Sequence, residues 1–283
     1  MDNKTWANRA ITEMKCGDAR LLLGSRTYIM GILNLTPDSF SDGGKFNYLE
    51  AAAAHAANMA TDGADLIDVG GESTRPGHTE VPAAEEISRL LPVINRLVAT
   101  SKVPISVDTS KAAVADCMLS AGVHMINDVW GLQRDLAMAK VCADYQVPVV
   151  IMHNQTGTDY DGDLMTAIMR FLGKSVEIAL KAGIHQHNII LDPGIGFGKT
   201  FEQNLVVLGR LEELNALGFP LLLGTSRKGL FGRILPLTAE ERVEATISTS
   251  VIGVAKGVDF IRVHDVKENF RAVRVADAIL RGK

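Results

Sequence analysis

Short apolar runs alternate with longer amphipathic stretches along most of the chain. Eight of these runs are four to six residues long, mostly apolar and β-branched, as is typical of strands covered on both faces. The predicted strands span residues 28–33, 64–69, 103–107, 124–127, 148–152, 188–191, 220–223 and 260–263. Helices are predicted at residues 48–62, 83–99, 111–121, 135–145, 163–182, 201–217, 239–256 and 266–280.

This regular alternation of strand and helix predicts an α/β fold. Eight β-α units favour a single closed (β/α)₈ TIM barrel, with an open doubly wound sheet as the alternative. Residues 11–15 and 21–24 flank a Cys-Gly-Asp turn, which predicts a short N-terminal hairpin covering the bottom of the barrel. We therefore divide the chain into an N-terminal extension, residues 1–27, and a barrel domain, residues 28–283.

The composition excludes several classes of protein. A chain of 283 residues that is 47% hydrophobic and 22% charged folds into a globule rather than remaining disordered. A net charge of −4 and an aromatic content of 5% argue against a nucleic-acid partner. No apolar run approaches about 18 residues and no signal peptide is visible, so we expect a cytoplasmic protein with no membrane partner. Cys16, Cys117 and Cys142 are widely spaced, which predicts free thiols.

Polar side chains stand at the carboxyl end of nearly every predicted strand. In a barrel these ends surround one mouth, where active sites form. Any single loop needs polar caps, so the repetition around the barrel carries more weight than one position. The polar residues are Asn34, Asp68, Glu72, Asp108, Asn127, Asp128, His153, Asp192, Ser226, Arg227, Lys228, Arg262 and His264.

Three loops add features typical of ligand binding. Residues 34–44 are long and polar and end in two glycines, which predicts a mobile lid with Phe40 covering a ligand. Residues 69–77 combine glycine amides, hydroxyls and Arg75 into a predicted anion cradle. Residues 224–229 close the seventh strand and open a short helix, so we predict that Ser226 lies at a helix N-terminus suited to a carboxylate or phosphate.

A glycine-rich turn at residues 194–200 resembles a nucleotide phosphate loop. The first glycine of GxxxxGK[ST] would fall on Pro193, so the nucleotide interpretation fails. We expect these glycines to let the backbone approach a flat ligand under Phe197. By contrast, Glu85, Glu86 and Arg89 are predicted to place charges on a solvated helix face without a functional role.

The residue types at the mouth describe a ligand. Asp108, Asp192 and Asn127 can recognise a heterocycle that carries N–H donors and ring nitrogens. Asn34 offers an oxygen to Mg²⁺, which takes few protein ligands together with phosphate oxygens. Four basic side chains suit one or two anionic groups, so the residues predict an enzyme for a phosphorylated heterocycle. These side chains are Arg75, Lys228, Arg262 and His264.

Seven segments resemble the bacterial dihydropteroate synthases, a family of pterin-binding TIM barrels. Each segment is weakly specific alone, but together they stand in the family's order over about residues 28 to 280. The segments are MGILNLTPDSFSDGG at 30–44, IDVGGESTRPG at 67–77, SVDTSK at 106–111, IND at 126–128, LDPG at 191–194, SRK at 226–228 and IRVHDVKE at 261–268.

The resemblance implies a transferase of folate biosynthesis. This family condenses 6-hydroxymethyl-7,8-dihydropterin pyrophosphate with p-aminobenzoate, which gives 7,8-dihydropteroate and pyrophosphate, and sulfonamides target it. The resemblance also implies Mg²⁺ as cofactor, with Asn34 as its ligand, and a homodimer formed through the late helices.

The same resemblance implies a role for each matching residue. The pyrophosphate group would be bound by Thr74, Arg262 and His264. The pterin would be bound by Asp108, Asn127, Asp192 and Lys228. The p-aminobenzoate pocket would be lined by Arg75, Pro76, Phe197 and Ser226. The mobile loop would contribute Thr36, Pro37, Asp38 and Phe40. The catalytic set would be Asp108, Lys228, Arg262 and His264.

Three alternative functions remain open at this point. A pterin-binding methyltransferase that uses methyltetrahydrofolate would share the pterin-binding residues but would not need Asn34, Arg262 and His264. An aldolase-type barrel would use Lys228 as a Schiff-base amine beside Arg227. A non-catalytic barrel would bind a pterin and regulate a partner.

Overall fold

The computed structural model describes residues 11–35, 44–72 and 81–282, and the side chains of residues 48–72 within the second range. Strands β1 (Thr12–Cys16) and β2 (Ala19–Leu23) form an antiparallel hairpin. Eight parallel strands form the second sheet, in the order β8-β7-β6-β5-β4-β3-β10-β9. They are β3 (Tyr28–Asn34), β4 (Leu66–Gly70), β5 (Ile105–Asp108), β6 (Met125–Asp128), β7 (Val149–Met152), β8 (Ile189–Asp192), β9 (Leu222–Leu223) and β10 (Phe260–Val263).

The eight-stranded sheet closes on itself. A parallel bridge between Leu191 and Leu221 joins the two end strands, β8 and β9. Helices follow the strands in alternation, as right-handed β-α crossovers require. The predicted (β/α)₈ barrel is therefore confirmed, and the doubly wound alternative is wrong.

The described helices surround the barrel. They are α1 (Gly44–Asp62), α2 (Ala83–Thr100), α3 (Ala112–Ser120), α4 (Met138–Tyr145), α5 (Leu164–Ala182), α6 (Phe201–Gly209), α7 (Gly229–Ile234), α8 (Val243–Ala255) and α9 (Val266–Arg281). None of the helices within these ranges is long and apolar enough to cross a membrane.

Two predicted helices differ from the observed ones. The predicted helix at 201–217 is α6 followed by a 3₁₀ helix, Leu211–Leu217. The predicted helix at 239–256 begins only at Val243. Before it, the Thr238 N–H donates to Glu241 Oε2 at 2.9 Å, and this tight turn replaces the first helical turn.

The alternation of side chains along each strand sorts the barrel into layers. Outward residues such as Ile67, Val107 and Ile126 pack against the helices. Inward residues near the strand starts, among them Leu66 and Met125, form a separate apolar cluster inside the barrel. Because side chains repeat every second residue, the next inward positions lie one layer nearer the mouth. These upper-layer residues are Asp68, Asn127, Asp192 and Arg262.

The N-terminal hairpin covers the bottom of the barrel, as predicted. Met14, Cys16, Leu21 and Leu23 are buried in the same cluster as the lower inward layer. At the hairpin turn Gly17 has φ +58°, and a Cβ there would lie 2.2 Å from the His124 ring. The hairpin therefore seals the lower end with apolar side chains and leaves the polar layer facing the other end.

The last helix is fastened to the start of the barrel. The Thr27 N–H donates to Asp277 Oδ2 at 2.8 Å. Arg281 Nη1 donates to the Gly24 carbonyl at 2.7 Å. Because β10 also pairs with β3, the first and last β-α units meet along one continuous seam.

Candidate active site

A buried network of charges forms the floor of the mouth. Arg262 donates from Nε to Asp68 Oδ2 at 2.6 Å and from Nη2 to Asp108 Oδ2 at 2.8 Å. Asn127 Nδ2 donates to the same Asp68 oxygen at 2.9 Å. These residues come from strands β4, β5, β6 and β10, so barrel closure alone brings them together.

Asp108 is the most perturbed carboxyl group of this floor. Burial raises the pKa of Asp108 to about 7; the Arg262 guanidinium opposes this shift, and the Asp68 carboxylate adds to it. Two carboxylates thus share one guanidinium. Among the described residues, Oδ1 of Asp68 and Oδ1 of Asp108 have no hydrogen-bond partner. Buried acceptors of this kind suit a ligand that presents N–H donors.

Asp192 forms a second acidic wall on β8. Burial raises the pKa of Asp192 to about 6, while the Gly194 N–H and the Lys228 and Arg262 cations lower it. The Gly194 N–H donates to Asp192 Oδ1 at 2.6 Å. The turn after β8 therefore fixes the orientation of this carboxyl group.

An aromatic ring and an ammonium group face each other above Asp192. Lys228 Nζ lies 4.1 Å from the centroid of the Phe197 ring, which is a cation–π arrangement. Gly196 has φ +84°, and a Cβ there would lie 3.2 Å from Lys228 Cδ. The glycine turn thus lets the Lys228 stem pass, and it presents Phe197 beside the acidic floor.

His264 links the polar ends of three strands. Its ring lies 2.9 Å from Ser226 Oγ through Nδ1 and 3.4 Å from Asn34 Nδ2 through Nε2. The His264 N–H also donates to Ser226 Oγ at 3.1 Å. The structure therefore groups Asn34, Ser226 and His264 on the side of the mouth next to Arg262.

Ser226 does not lie at a helix N-terminus. Helix α7 begins at Gly229 with Lys228 as its N-cap residue, two positions after Ser226. Between them Arg227 has φ +56°, in the left-handed region, so the chain turns before the helix starts. The Ser226 hydroxyl is held by His264 and does not cap the helix.

Asn34, the residue predicted to bind Mg²⁺, ends β3 at the mouth of the barrel. Its amide nitrogen faces His264, and the amide oxygen lies 3.6 Å from the point where a Gly70 Cβ would stand. The described residues hold no cluster of three or more His, Cys, Asp or Glu side chains that could bind a metal by themselves. A single amide oxygen would suit Mg²⁺, since this ion takes few protein ligands together with water and phosphate oxygens.

Seven predicted site residues lie outside the described parts of the chain. They are Thr36, Pro37, Asp38 and Phe40 of the predicted lid, and Thr74, Arg75 and Pro76 of the predicted anion cradle. Asp128, which the strand pattern placed at the mouth, instead accepts from the Trp130 and Leu132 N–H groups at 2.8 and 2.7 Å. It stabilises its own turn.

The prediction that Glu86 lies on a solvated helix face is wrong. Its side chain is 1% exposed and accepts from Lys111 Nζ at 2.6 Å. Lys111 also contacts Glu72, whose Oε1 accepts from the Val81 N–H at 3.2 Å. Lys111, the N-cap residue of α3, pairs with this buried carboxylate, and helical periodicity alone gives no sign of the contact.

A second buried cation was missed by the sequence reasoning. Lys199 Nζ lies 2.9 Å from His153 Nδ1 and donates to the carbonyls of Gly194 and Phe197 at 2.9 and 3.0 Å. Burial lowers the pKa of Lys199 to about 7, and burial together with Lys199 lowers the pKa of His153 to about 3. The only sequence signal was a lysine closing a glycine-rich turn.

Known proteins share both this fold and this arrangement of sequence. The model of the pterin binding enzyme family matches residues 30–264. A dihydropteroate synthase of Clostridium beijerinckii is 53% identical over 269 residues, which are 95% of this chain and 100% of the relative.

Two solved structures extend the comparison. A dihydropteroate synthase of Clostridium difficile, crystallised in the presence of pteroic acid, superposes with a TM-score of 0.89 at 54% identity and covers 94% of this chain and 98% of its own. The Xanthomonas albilineans dihydropteroate synthase with 4-aminobenzoic acid gives a TM-score of 0.90 at 41% identity and covers 95% of this chain and 98% of its own. The chain therefore belongs to the pterin binding enzyme family and, within it, to the dihydropteroate synthases.

Proposed function

We propose that this chain condenses 6-hydroxymethyl-7,8-dihydropterin pyrophosphate with p-aminobenzoate and releases 7,8-dihydropteroate and pyrophosphate. One observation carries the proposal: the floor of carboxylates and Asn127 lies directly against the basic side of the mouth, joined through Arg262. A pterin that carries a pyrophosphate needs both environments in one cavity. The solved relatives with pteroic acid and with 4-aminobenzoic acid support the same pair of substrates.

The pterin is assigned to the acidic floor. Its ring and exocyclic N–H groups pair with Asp108 and Asp192, while the Asn127 amide serves ring positions that need both a donor and an acceptor. Lys228 donates to a pterin oxygen or ring nitrogen from the side that Phe197 shields. The raised pKa of Asp108 and that of Asp192 reflect burial that a bound cationic or N–H-rich ring would compensate.

The pyrophosphate is assigned to the opposite side of the mouth. Arg262 donates to Asp68 from Nε and to Asp108 from Nη2. We assign its third nitrogen, Nη1, to the anion. His264 stands next to it, and Thr74 is the proposed third contact. Asn34 would hold Mg²⁺, which, when bound, neutralises charge on the pyrophosphate oxygens.

The reaction needs charge stabilisation more than proton transfer. The bond between the pterin CH₂ and the pyrophosphate oxygen breaks, and the electron pair leaves with pyrophosphate, which Arg262 and His264 stabilise. Positive charge grows on the pterin, where Asp108 faces it. The p-aminobenzoate nitrogen then forms the new C–N bond and loses one proton to solvent or pyrophosphate. Holding the neutral amine close to the CH₂ is the main requirement.

The p-aminobenzoate is assigned to the outer part of the mouth. Phe197 supplies an aromatic wall beside Lys228, and Ser226 is the proposed contact for the carboxylate, together with Arg75 and Pro76. Sulfonamides share the aromatic amine and a polar group in the para position, so we expect them to compete for this pocket.

Pyrophosphate release tests the proposal directly. The purified chain is given the pterin pyrophosphate with and without p-aminobenzoate and with and without Mg²⁺. Release that depends on both additions supports the synthase reaction. Tight pterin binding without release would instead indicate a non-catalytic barrel, and a borohydride-trapped adduct on Lys228 would indicate the Schiff-base alternative.

A homodimer is the assembly we propose. Helices α8 and α9 pack against each other and expose large apolar side chains at Ile252, Val275 and Ile279. An apolar patch of this kind is suited to a second copy of the chain. Sedimentation should show a dimer that Ile279→Glu weakens, and a monomeric wild-type chain would contradict the assignment.

All three cysteines are free, which agrees with a reducing, cytoplasmic setting.

A further inference from the structure

One ion pair connects the two loops that supply the basic side of the mouth. Arg227 donates from Nε to Asp265 Oδ2 at 3.0 Å and from Nη2 to Asp265 Oδ1 at 2.5 Å. Arg227 stands between Ser226 and Lys228, and Asp265 directly follows His264. Arg227 is therefore adjacent in sequence to two proposed site residues, Ser226 and Lys228, and Asp265 is adjacent to a third, His264.

The barrel ladder ends before it reaches these residues. Strand β9 has only two residues, and its pairing with β10 stops at Leu223 and Ile261. Beyond that level, the two loops are joined by the Arg227–Asp265 pair and by the hydrogen bonds of Ser226 with His264. The β9–β10 pairing of the described strands does not reach these two loops, and side chains connect them instead.

The backbone of Arg227 is held in an unfavourable conformation. Its φ of +56° lies in the left-handed region, which is unfavourable for an L-residue other than glycine. The conformation is anchored on both sides, since the Arg227 N–H donates to Thr246 Oγ1 at 3.2 Å and its carbonyl accepts from Arg242 Nη1 at 3.2 Å. A non-glycine residue persists in such a conformation when its surroundings determine it.

We propose that Arg227 and Asp265 are positioning residues that hold Ser226, Lys228 and His264 in one fixed arrangement for the transfer reaction. The inference rests on the proposed function of the mouth. The guanidinium touches no described residue of the floor and acts through the backbone on either side of it. A bidentate guanidinium–carboxylate pair suits this task, because its planar geometry fixes the orientation as well as the distance between the two loops.

The chain offers a matched control at the other end of the barrel. Arg26 and Asp65 also form a bidentate pair, at 2.9 and 2.5 Å. The side-chain exposures are 33% and 16% for this pair, against 31% and 12% for Arg227 and Asp265. Asp65 additionally accepts from the Ile29 N–H, so its loss should cost at least as much stability.

A double-mutant cycle tests the inference. Arg227→Ala, Asp265→Ala and the double variant are compared with the corresponding variants at Arg26 and Asp65, using kcat/KM for both substrates and the thermal midpoint. We expect each single change at the Arg227–Asp265 pair to lower kcat/KM about tenfold, and the double change to lower it no further. The control variants should lose stability and keep kcat/KM close to that of the wild type.

Glycine at the strained position separates the ion pair from the backbone. Arg227→Gly removes the guanidinium but relieves the positive φ, so it should be more stable than Arg227→Ala and equally impaired in kcat/KM. Losses that add in the double variant, full activity in Arg227→Gly, or equal losses in the control pair would each overturn the inference. A wild-type chain that releases no pyrophosphate would overturn the proposed function itself, which is a different result.

Discussion

Replacing Asp108 with asparagine should separate activity from stability. The substitution keeps the shape of the side chain but removes one of the two carboxylates that share the Arg262 guanidinium. Arg262 keeps its contact with Asp68 at 2.6 Å, so the cation stays in place. The change therefore isolates the charge that we assign to stabilising the pterin cation.

The expected losses follow from the chemistry of the floor. Removing one preorganised electrostatic contact to developing charge costs about 3–4 kcal/mol, so kcat should fall by about 100- to 1000-fold. The thermal stability of the variant should increase instead. A carboxyl whose pKa is raised on folding, here to about 7, loses stabilisation as the pH rises above the pKa it has in the unfolded chain. The asparagine variant should therefore unfold about 2–4 °C higher at neutral pH or above.

Steady-state pyrophosphate release and thermal denaturation provide the two measurements. Glu50→Gln is a suitable control, because Glu50 forms an exposed ion pair with Arg96 on the outer helices. A folded Asp108→Asn protein with full kcat would refute the assigned role of Asp108. A variant that is inactive and also less stable than the wild type would refute the account of the shared guanidinium.

Four further outcomes are expected. Lys228→Ala should raise KM for the pterin pyrophosphate about tenfold or more, with stability close to that of the wild type; unchanged pterin affinity by calorimetry would contradict the assignment. The wild-type kcat/KM should fall with acidification through a pKa near 7, because the required Asp108 carboxylate is present above that pH and protonated below it; the Asp108→Asn variant should lack this limb. Lys199→Met should raise KM for p-aminobenzoate more than KM for the pterin, since it removes the donors that hold the glycine-rich turn; equal effects would indicate general unfolding instead. Gly17→Ala should lower the free energy of unfolding by about 1–3 kcal/mol without changing KM, because the added methyl group meets His124 at a positive φ; an unchanged thermal midpoint would show that the hairpin is not docked as described.

The barrel and most of its floor were predictable because two regularities determine them: the alternation of side chains along each strand and the repetition of the β-α unit eight times. Alternation along a strand places Asp68, Asn127 and Arg262 on the inward face, one layer above the apolar cluster. Closure of eight strands then brings these inward positions together without any information from the loops. Sequence reasoning therefore identified the acidic and basic groups before their contacts were known.

Tertiary contacts explain what the sequence did not predict. Glu86 sits on a helix whose polar face was expected in water, but its side chain is buried and paired with Lys111. Ser226 does not lie at the helix N-terminus because Arg227 has a positive φ, which is not expected from its residue type. Lys199 follows a glycine turn whose path depends on three acceptors from two separate loops. Each case depends on residues far apart in the chain, which local patterns do not report.

Because the first and last β-α units meet along a seam, the order of the units along the chain could be changed without changing the barrel. Thr27 and Gly24 are hydrogen-bonded to the side chains of Asp277 and Arg281, so the first and last units of the barrel lie together without a covalent link. The N-terminal hairpin precedes Gly24, and its first residue, Thr12, pairs with Leu23. A short polar linker from Arg281 to Thr12 could therefore join the ends and keep the hairpin, and new termini could be opened in an exposed loop such as residues 156–162. Such a circular permutant would keep the same strand neighbours and should fold to the same barrel.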